Sequence, residues 1–248
     1  RDHDRCGDEN QSLRARMSEP GPRVFVTATD TSAGKTRFTT LLLAALRSGP
    51  HPRARALKPL CSGPEDDLHA ILAAGEEGLG REDINFAWFP MAATPSVAAA
   101  AEGRPVDPGA LLDWCHECSR LAGEAPLICE GAGGWLVPVR GTWCVADWAA
   151  SLQWPVVLVV ANRLGCLNHT LLTVREIKRR EIPLMGLVLN ETTPAGDAET
   201  RAVRRTNREI LEGDFGIGVL GEIPFGCEAL PGEIVEAVLR AAVRTTAK

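Results

Sequence analysis

Residues 24–36 read VFVTATDTSAGKT, and this stretch decides the fold. The apolar residues 24–26 predict a buried strand, and the small polar residues after them predict a loop. Gly-Lys-Thr at residues 34–36 then opens a helix, which the Leu and Ala content predicts over residues 37–46. This order of strand, loop and helix is typical of a phosphate-binding loop.

The loop predicts a binding site for the phosphates of a nucleotide. Backbone N–H groups in such a loop point at an anion, and the helix N-terminus adds about half a positive charge. We expect Lys35 to reach the outer phosphates and Thr36 to place its hydroxyl on Mg²⁺. The strict motif has Gly where this chain has Thr29, so the loop fits a longer variant with Ala28 in place of Gly. An ordinary strand-to-helix turn is the alternative interpretation.

The composition favours a single globular domain. The chain has 248 residues, of which 45% are apolar and 24% charged, and this length favours one large α/β domain over two. A net charge of −5 without a basic stripe argues against a nucleic-acid partner. No apolar run approaches the about 18 residues of a membrane span, so we expect no membrane partner either.

The polar N-terminus predicts a disordered tail over residues 1–20, followed by one domain over residues 21–248. Met17 is a candidate start residue. The first twenty residues show no secretory signal, so we expect a cytoplasmic chain whose eight Cys are reduced. Cys115 and Cys118 have the spacing of half a metal site, but no second pair completes it. Two thiols on a helix surface are the favoured interpretation.

Strands and helices alternate along the rest of the chain. We predict strands at residues 24–26, 55–60, 126–130, 156–161, 183–190 and 219–224. We predict helices at residues 37–46, 68–74, 97–102, 109–122, 168–180, 199–211 and 232–245, and a turn region at 75–82. This alternation indicates an α/β fold with a doubly wound, mainly parallel sheet flanked by helices. Ligands of such sheets bind at the carboxyl ends of strands, where we expect Lys58, Glu130 and Asn190 beside the phosphate loop.

Six segments, in the same order, resemble those of the dethiobiotin synthetase family. They are TATDTSAGKT at 27–36, KPLCSG at 58–63, EGAGGW at 130–135, LGCLNH at 164–169, NETTP at 190–194 and GEIP at 221–224. The phosphate loop is shared by many nucleotidases, whereas the second, third and fourth segments together are far more specific. The resemblance implies a fold of the P-loop NTPase type.

The resemblance also implies an activity. Members of this family are homodimeric ligases of biotin synthesis that use ATP and Mg²⁺, and their substrates are 7,8-diaminononanoate and CO₂. One amine takes up CO₂ as a carbamate, ATP phosphorylates the carbamate, and the second amine closes a cyclic urea. This chemistry needs neutralised phosphate charge, a cation for the carbamate, and two amines held close together.

Roles of individual residues are implied by the same resemblance. Contacts with ATP are implied for Thr29, Asp30, Thr31, Ser32, Ala33, Gly34, Lys35, Thr36, Asn190 and Pro224, the last two at the base. Catalytic contacts are implied for Lys35, Thr31, Lys58 and Ser62, the last two with the carbamate. Ligands of Mg²⁺ are implied at Thr36, Asp67 and Glu130. A site for the substrate carboxylate, supplied across the dimer, is implied at Gly165, Cys166, Leu167 and Asn168.

Several of these residues also have purely structural interpretations. Lys58 fits a solvated surface lysine, Asp67 a helix N-cap, Glu130 a cap of the glycine turn, and Asn190 a residue that stabilises a turn.

Two residues of the phosphate loop depart from the family pattern. Ala28 stands where Gly is usual, and its methyl group is tolerable only if φ at that residue is not positive. Ser32 stands where Glu is common, which removes a carboxylate beside the phosphates. Both departures concern nucleotide affinity and choice rather than the fold.

Three other functions stay open from the residues alone. A related ligase acting on another amine or acid would keep the same loop. A nucleotide-dependent switch or partitioning ATPase often has a second Lys early in the loop, and residues 29–33 contain none. The third is a non-catalytic binding module, against which the intact Lys35, Thr36, Lys58 and Glu130 argue.

Overall fold

The structure is a computed structural model that describes residues 20–246, with only the backbone described for 243–246. The tail predicted over residues 1–20 therefore lies, apart from Pro20, outside the described residues. The assignment of residues 21–248 to one domain stays a prediction.

The described chain alternates between strands and helices. The strands are β1 Arg23–Ala28, β2 Arg55–Leu57, β3 Leu60–Ser62, β4 Ala87–Phe89, β5 Leu127–Glu130, β6 Pro138–Arg140, β7 Trp143–Cys144, β8 Val156–Ala161, β9 Leu184–Asn190 and β10 Val219–Ile223. The helices are α1 Lys35–Ser48, α2 Asp66–Ala74, α3 Arg81–Ile84, α4 Pro95–Ala101, α5 Pro108–Ala122, α6 Val145–Leu152, α7 Cys166–Arg179, α8 Ala198–Glu209 and α9 Gly232–Thr246. A single π-helical turn, Ile210–Asp214, continues α8.

Six strands form one parallel sheet in the order β10-β9-β8-β1-β5-β2. The strand that precedes the phosphate loop, β1, lies between β5 and β8 and is buried along its whole length. Its side chains alternate between the two faces, as the pleat requires. Phe25 packs edge-on against Trp148 in one apolar cluster, whereas Val24 and Val26 join Leu42 of α1 in the other. The predicted doubly wound parallel sheet with helices on both faces is confirmed.

The strand predicted over residues 55–60 is wrong as a single element. The chain leaves the main sheet after β2, because the N–H of Lys58 donates to the carbonyl of Ile84 and Pro59 has no N–H to donate. It then enters β3, which pairs with β4 in a separate two-stranded parallel sheet. Lys58 lies in this break, and its ammonium contacts Glu130 at the end of the neighbouring strand β5.

Other local features also differ from the prediction. The region predicted as a turn over residues 75–82 ends in the short helix α3, which begins at Arg81. The hairpin of β6 and β7 and the following helix α6 were not predicted. The carboxylate of Asp147 accepts a hydrogen bond from the N–H of Cys144 at 2.8 Å and so caps α6. None of the helices between residues 20 and 246 is both long and apolar enough to cross a membrane.

Candidate active site

The phosphate loop, which joins β1 to α1, contains two residues with positive φ. Gly34 has φ of 95°, in the left-handed region that favours glycine. A Cβ atom on Gly34 would lie 2.0 Å from Nδ2 of Asn190, so a side chain there is excluded sterically as well. Ser32 also has positive φ, at 62°, whereas Ala28 lies within β1 and is not among the residues with positive φ. The methyl group of Ala28 is therefore compatible with the loop.

Asn190 lies directly behind the phosphate loop at the end of β9. Its Nδ2 donates to the carbonyl of Ala33 at 2.8 Å, while its buried Oδ1 has no hydrogen-bond partner among the described residues. Strand pairing brings Asn190 opposite Ile223, the residue before Pro224. Asn190 and Pro224, the two residues predicted to contact the base of the nucleotide, thus lie close to each other. The side-chain oxygen of Asn190 is free to accept a hydrogen bond.

Lys58 is the centre of a buried group of charges. Its ammonium contacts Oε1 of Glu130 and lies 3.2 Å from Oδ2 of Asp67, and Lys58 is only 4% exposed. The hydroxyl of Thr36 donates to the same Glu130 oxygen at 2.7 Å. The surface-lysine interpretation of Lys58 is therefore wrong, and the three residues predicted to bind Mg²⁺ meet around this ammonium.

The charges in this group fix one another's protonation. Burial lowers the pKa of Lys58, but the carboxylates of Glu130 and Asp67 outweigh it and hold the pKa well above its usual value. Burial raises the pKa of Asp67, yet the charge of Lys58 and its contact with the carboxylate leave that pKa below its usual value. Lys58 is therefore cationic and Asp67 anionic at neutral pH.

Lys35 lies in the same region under a different balance. Burial, together with the nearby positive charge of Lys58, lowers the pKa of Lys35 to about 8, although nearby carboxylates oppose this. An anion bound beside Lys35 would favour the charged form, because opposite charges stabilise each other in a buried site. The phosphate loop therefore presents a lysine that an anionic ligand would stabilise.

A cavity of ≈ 630 Å³ opens beside these groups. The predicted site residues that line it are Thr31, Ser32, Gly34, Lys35, Thr36, Lys58, Ser62 and Asp67. The hydroxyl of Ser62 is buried and has no hydrogen-bond partner among the described residues. Glu130, Asn190 and Pro224 do not line this cavity, although Glu130 is connected to it through Lys58 and Thr36.

Sequence reasoning missed several residues of the cavity wall. Residues 92–95, at the start of α4, form part of it, as do Cys61, Val137 and Arg37. The Thr-Pro pair at 94–95 signals a helix start in the sequence. Nothing in the sequence indicates that this helix start faces the phosphate loop.

A second cavity of ≈ 350 Å³ lies on the outer side of the phosphate loop. Residues 29–32 form one wall, and Arg163, Cys166, His169 and Thr192 form the other. Of the residues predicted to bind the substrate carboxylate, only Cys166 lines this cavity within one chain, and none lines the larger one. Gly165, with φ of 85°, precedes the first turn of α7, and Asn168 is exposed.

Thr36, Asp67 and Glu130 provide one hydroxyl and two carboxylates, the hard oxygen donors that Mg²⁺ prefers. The second carboxylate oxygen of Glu130 is buried and lacks a partner among the described residues, so a cation fits this set. Within residues 20–246, no group of three or more His, Cys, Asp or Glu side chains is arranged as a metal site.

The two thiols predicted on a helix surface both lie on α5. Cys115 is buried and Cys118 is half-buried, so only Cys118 is at the surface of the helix.

Comparisons with known proteins identify relatives of this chain. A family model described as an AAA domain matches residues 22–228. An ATP-dependent dethiobiotin synthetase BioD of Yersinia pestis is 34% identical over 203 residues, which cover 79% of this chain and 83% of that protein. One of Akkermansia muciniphila is 33% identical, with 85% and 96% covered.

Among solved structures, the MinC:MinD cell division protein complex of Aquifex aeolicus superposes with a TM-score of 0.52. It is 13% identical and covers 92% of this chain and 97% of that chain. At this identity the likeness concerns the fold alone, and it agrees with the predicted P-loop NTPase type.

Proposed function

The chain belongs to the family of ATP-dependent dethiobiotin synthetases, and on this premise we propose that it closes a cyclic urea on 7,8-diaminononanoate with CO₂. One observation carries the proposal. Lys58 is held as a buried cation beside Thr36, Asp67 and Glu130, next to the phosphate loop that carries Lys35. A ligase that phosphorylates a carbamate needs both an anion-binding cation and a phosphate site within one cavity.

Lys58 and Ser62 are proposed to hold the carbamate anion. The ammonium of Lys58 stays charged because two carboxylates raise its pKa, and the buried hydroxyl of Ser62 has no other partner among the described residues. Both residues line the larger cavity with Lys35. A fixed positive charge there stabilises the carbamate and the charge that develops as its oxygen attacks the γ-phosphorus.

Lys35 and the backbone of the phosphate loop are proposed to neutralise the transferred phosphate. Once the carbamate has been phosphorylated, the second amine attacks the carbonyl carbon and phosphate leaves, which closes the ring. Thr31 lines the same cavity and is proposed to contact the phosphate and the carbamate. The contribution of these residues is mainly to hold the reacting groups close together.

Thr36, Asp67 and Glu130 are proposed to hold Mg²⁺, which when bound would neutralise phosphate charge. The fit rests on the hydroxyl, the two carboxylates and the unpartnered oxygen of Glu130.

Asn190 and Pro224 are proposed to bind the base. One N–H of Asn190 Nδ2 donates to Ala33, and the buried Oδ1 has no partner among the described residues. Oδ1 can therefore accept a hydrogen bond from the amino group of adenine.

We also propose a homodimer in which residues 165–168 bind the carboxylate of the substrate in the neighbouring subunit. They lie at the N-terminus of α7, a 14-residue helix whose dipole favours an anion. Leu172, one turn beyond Asn168 on this helix, is 57% exposed, and Leu164, just before the helix, is 80% exposed. In the proposed dimer these two apolar side chains would be covered by the neighbouring subunit. The proposed location is the cytoplasm, where ATP is available.

The test is ADP release with 7,8-diaminononanoate, bicarbonate and Mg–ATP, each omitted in turn, with the product identified by mass spectrometry. The proposal expects ADP only when all are present and one cyclic urea per ADP. ADP release without the diamine would indicate a nucleotide switch instead. Release that depends on a different amine or acid would indicate a ligase with another substrate.

A further inference from the structure

Arg37 connects the phosphate loop to the segment that follows β10. It is the third residue of α1, directly after Lys35 and Thr36. Its Nη2 donates to the carbonyl of Pro224 at 2.8 Å and to the carbonyl of Cys227 at 3.1 Å. The same nitrogen lies 3.4 Å from Sγ of Cys227. One guanidinium thus holds both ends of residues 224–227, which we call the base segment.

The base segment has few other anchors. The N–H of Cys227 donates to the carbonyl of Pro224 at 3.3 Å, which closes a turn around Gly226 with φ of 74°. The N–H of Phe225 donates to the carboxylate of Glu191 at 3.2 Å. Both Pro224 and Phe225 are exposed. Cys227 also packs against the apolar cluster that contains Ile223 and Leu230, so among the described residues the side-chain hydrogen bonds that tie this segment to the body of the protein come from Arg37 and Glu191.

Arg37 also lines the larger cavity, beside Lys35 and Thr36. Among the contacts described for residues 20–246, its Nε and Nη1 have no acceptor. The guanidinium thus makes all its described hydrogen bonds to the base segment, through Nη2.

We propose that Arg37 is a positioning residue for the base of the nucleotide. It holds Pro224 at a fixed distance from the phosphate loop, so that a nucleotide gripped by its phosphates finds the base segment already in place. This inference rests on the proposed function, specifically on the base site at Asn190 and Pro224. A planar guanidinium suits the task because its fork of donors meets two carbonyl oxygens at once.

The pre-organisation has a measurable consequence. If Arg37 acts on the base segment, its loss weakens a ligand that has a base and spares one that has only phosphates. Ordering a loop at the moment of binding lowers affinity, and a preformed loop avoids that cost. A residue that merely contributed positive charge would affect both ligands alike.

The experiment compares ATP with inorganic tripolyphosphate by calorimetry in the presence of Mg²⁺. The variants are Arg37→Met, the conservative Arg37→Lys, and Arg47→Met as a matched control on the same helix, whose guanidinium donates to the carbonyl of Ala54. We expect Arg37→Met to weaken ATP by about tenfold, the scale of losing hydrogen bonds from one charged group. Tripolyphosphate should change by less than about threefold. Arg37→Lys should recover part of the ATP affinity, and Arg47→Met should match the parent.

Equal weakening of both ligands, or of neither, would overturn the inference. Asn190→Ala in the same titrations separates the two proposals. If Asn190→Ala leaves the affinity for ATP unchanged, the proposed base site is wrong. If Asn190→Ala weakens ATP but Arg37→Met leaves its affinity unchanged, the base site stands and the positioning role of Arg37 is wrong.

A second measurement avoids substitution altogether. In the parent protein, ATP should slow alkylation of the half-buried Cys227 relative to the half-buried Cys118, whereas tripolyphosphate should not. Equal protection of Cys227 by both ligands would contradict a base-side role even if Arg37→Met failed to fold.

Discussion

The ammonium of Lys58 is paired with the carboxylate of Glu130 in a position where Glu130 is fully buried and the Lys58 side chain is only 5% exposed. The two residues are far apart in the chain but lie at neighbouring strand ends, one just after β2 and the other at the end of β5. Removing one partner of a buried ion pair leaves the other without compensation, which commonly costs about 3–5 kcal/mol. Here Asp67 also contacts Lys58 and reduces the cost of losing Glu130.

Lys58→Met should separate chemistry from nucleotide binding. The Met side chain keeps most of the stem and removes the charge, so turnover should fall by about 100-fold or more, the scale of losing one electrostatic stabiliser. Affinity for ATP should stay within a few-fold of the parent, since Lys35 serves the phosphates. Calorimetry with ATP, beside single-turnover formation of the urea, measures both. Lys35→Met is the matched comparison and should weaken ATP itself. Normal turnover of Lys58→Met would refute the proposed carbamate site.

Glu130→Gln should raise the Mg²⁺ concentration needed for activity. The amide keeps the shape of the side chain but loses a negative charge that a hard cation prefers. We expect a partial recovery of activity at high Mg²⁺. The free energy of unfolding should fall by about 1–3 kcal/mol, since Asp67 still pairs with Lys58. Glu117→Gln, at an exposed pair with Arg120, is the control and should change neither property. An unaltered Mg²⁺ requirement in Glu130→Gln would remove this residue from the metal site.

Asn168→Ala and Lys35→Ala should complement each other if the substrate site is shared between subunits. Each variant alone should be nearly inactive. In a mixed dimer, one of the two sites combines an intact phosphate loop with an intact carboxylate site, so part of the activity should return. The measurement is ADP release after mixing, with formation of mixed dimers verified by differently tagged subunits. Mixed dimers as inactive as either parent would show that each site is built from one chain.

The ion pairs of Arg180 should make the free energy of unfolding depend on pH. It lies 2.6 Å from a carboxylate oxygen of Asp147 and 2.8 Å from one of Glu176. Hydrogen bonds from Arg179 and Arg180 lower the pKa of Glu176 from its usual 4.5 to about 2. Burial raises the pKa of Asp147, but hydrogen bonds from Cys144 and Arg180 outweigh it and leave that pKa below its usual value. Folding therefore favours the ionised carboxylates.

Arg180→Gln should reduce the free energy of unfolding at pH 7 by about 1 kcal/mol, because these pairs are partly solvated. A depressed folded-state pKa stabilises the protein above the unfolded-state value, and the contribution is lost as the pH falls toward the folded-state value. For Glu176 that window runs from about 4.5 down to about 2. The difference between parent and Arg180→Gln in urea unfolding should therefore shrink below pH 4.5. Arg120→Gln, which removes an exposed ion pair with Glu117, is the control. If the difference in unfolding free energy between the parent and Arg180→Gln did not decrease below pH 4.5, this account would be contradicted.

The approach of Lys58 and Glu130 to the phosphate loop was predictable. Parallel strands end at one edge of a sheet, and both residues lie at or near the end of a segment that the hydrophobic pattern predicts as a strand. The role of Asp67 was implied only by the family resemblance. The pairing of β3 with β4 was not predictable, since three-residue strands carry too little pattern to identify partners distant in the chain. The connection of Arg37 to Pro224 escaped prediction for a similar reason. A surface arginine in a helix has no local signature of the carbonyl groups it will reach.

The position of β1 has a consequence for how the protein acquires its function during synthesis. This strand leads into the phosphate loop, but the strands that pair with it, β5 and β8, begin only at Leu127 and Val156. The strand is therefore paired on both sides only after most of the chain has been synthesised. Contacts this distant in sequence form slowly, because a long segment must be ordered before they are gained. Nucleotide should therefore bind the completed fold and no earlier intermediate. ATP in excess over its dissociation constant would then act as a ligand that draws newly made chains into the native state.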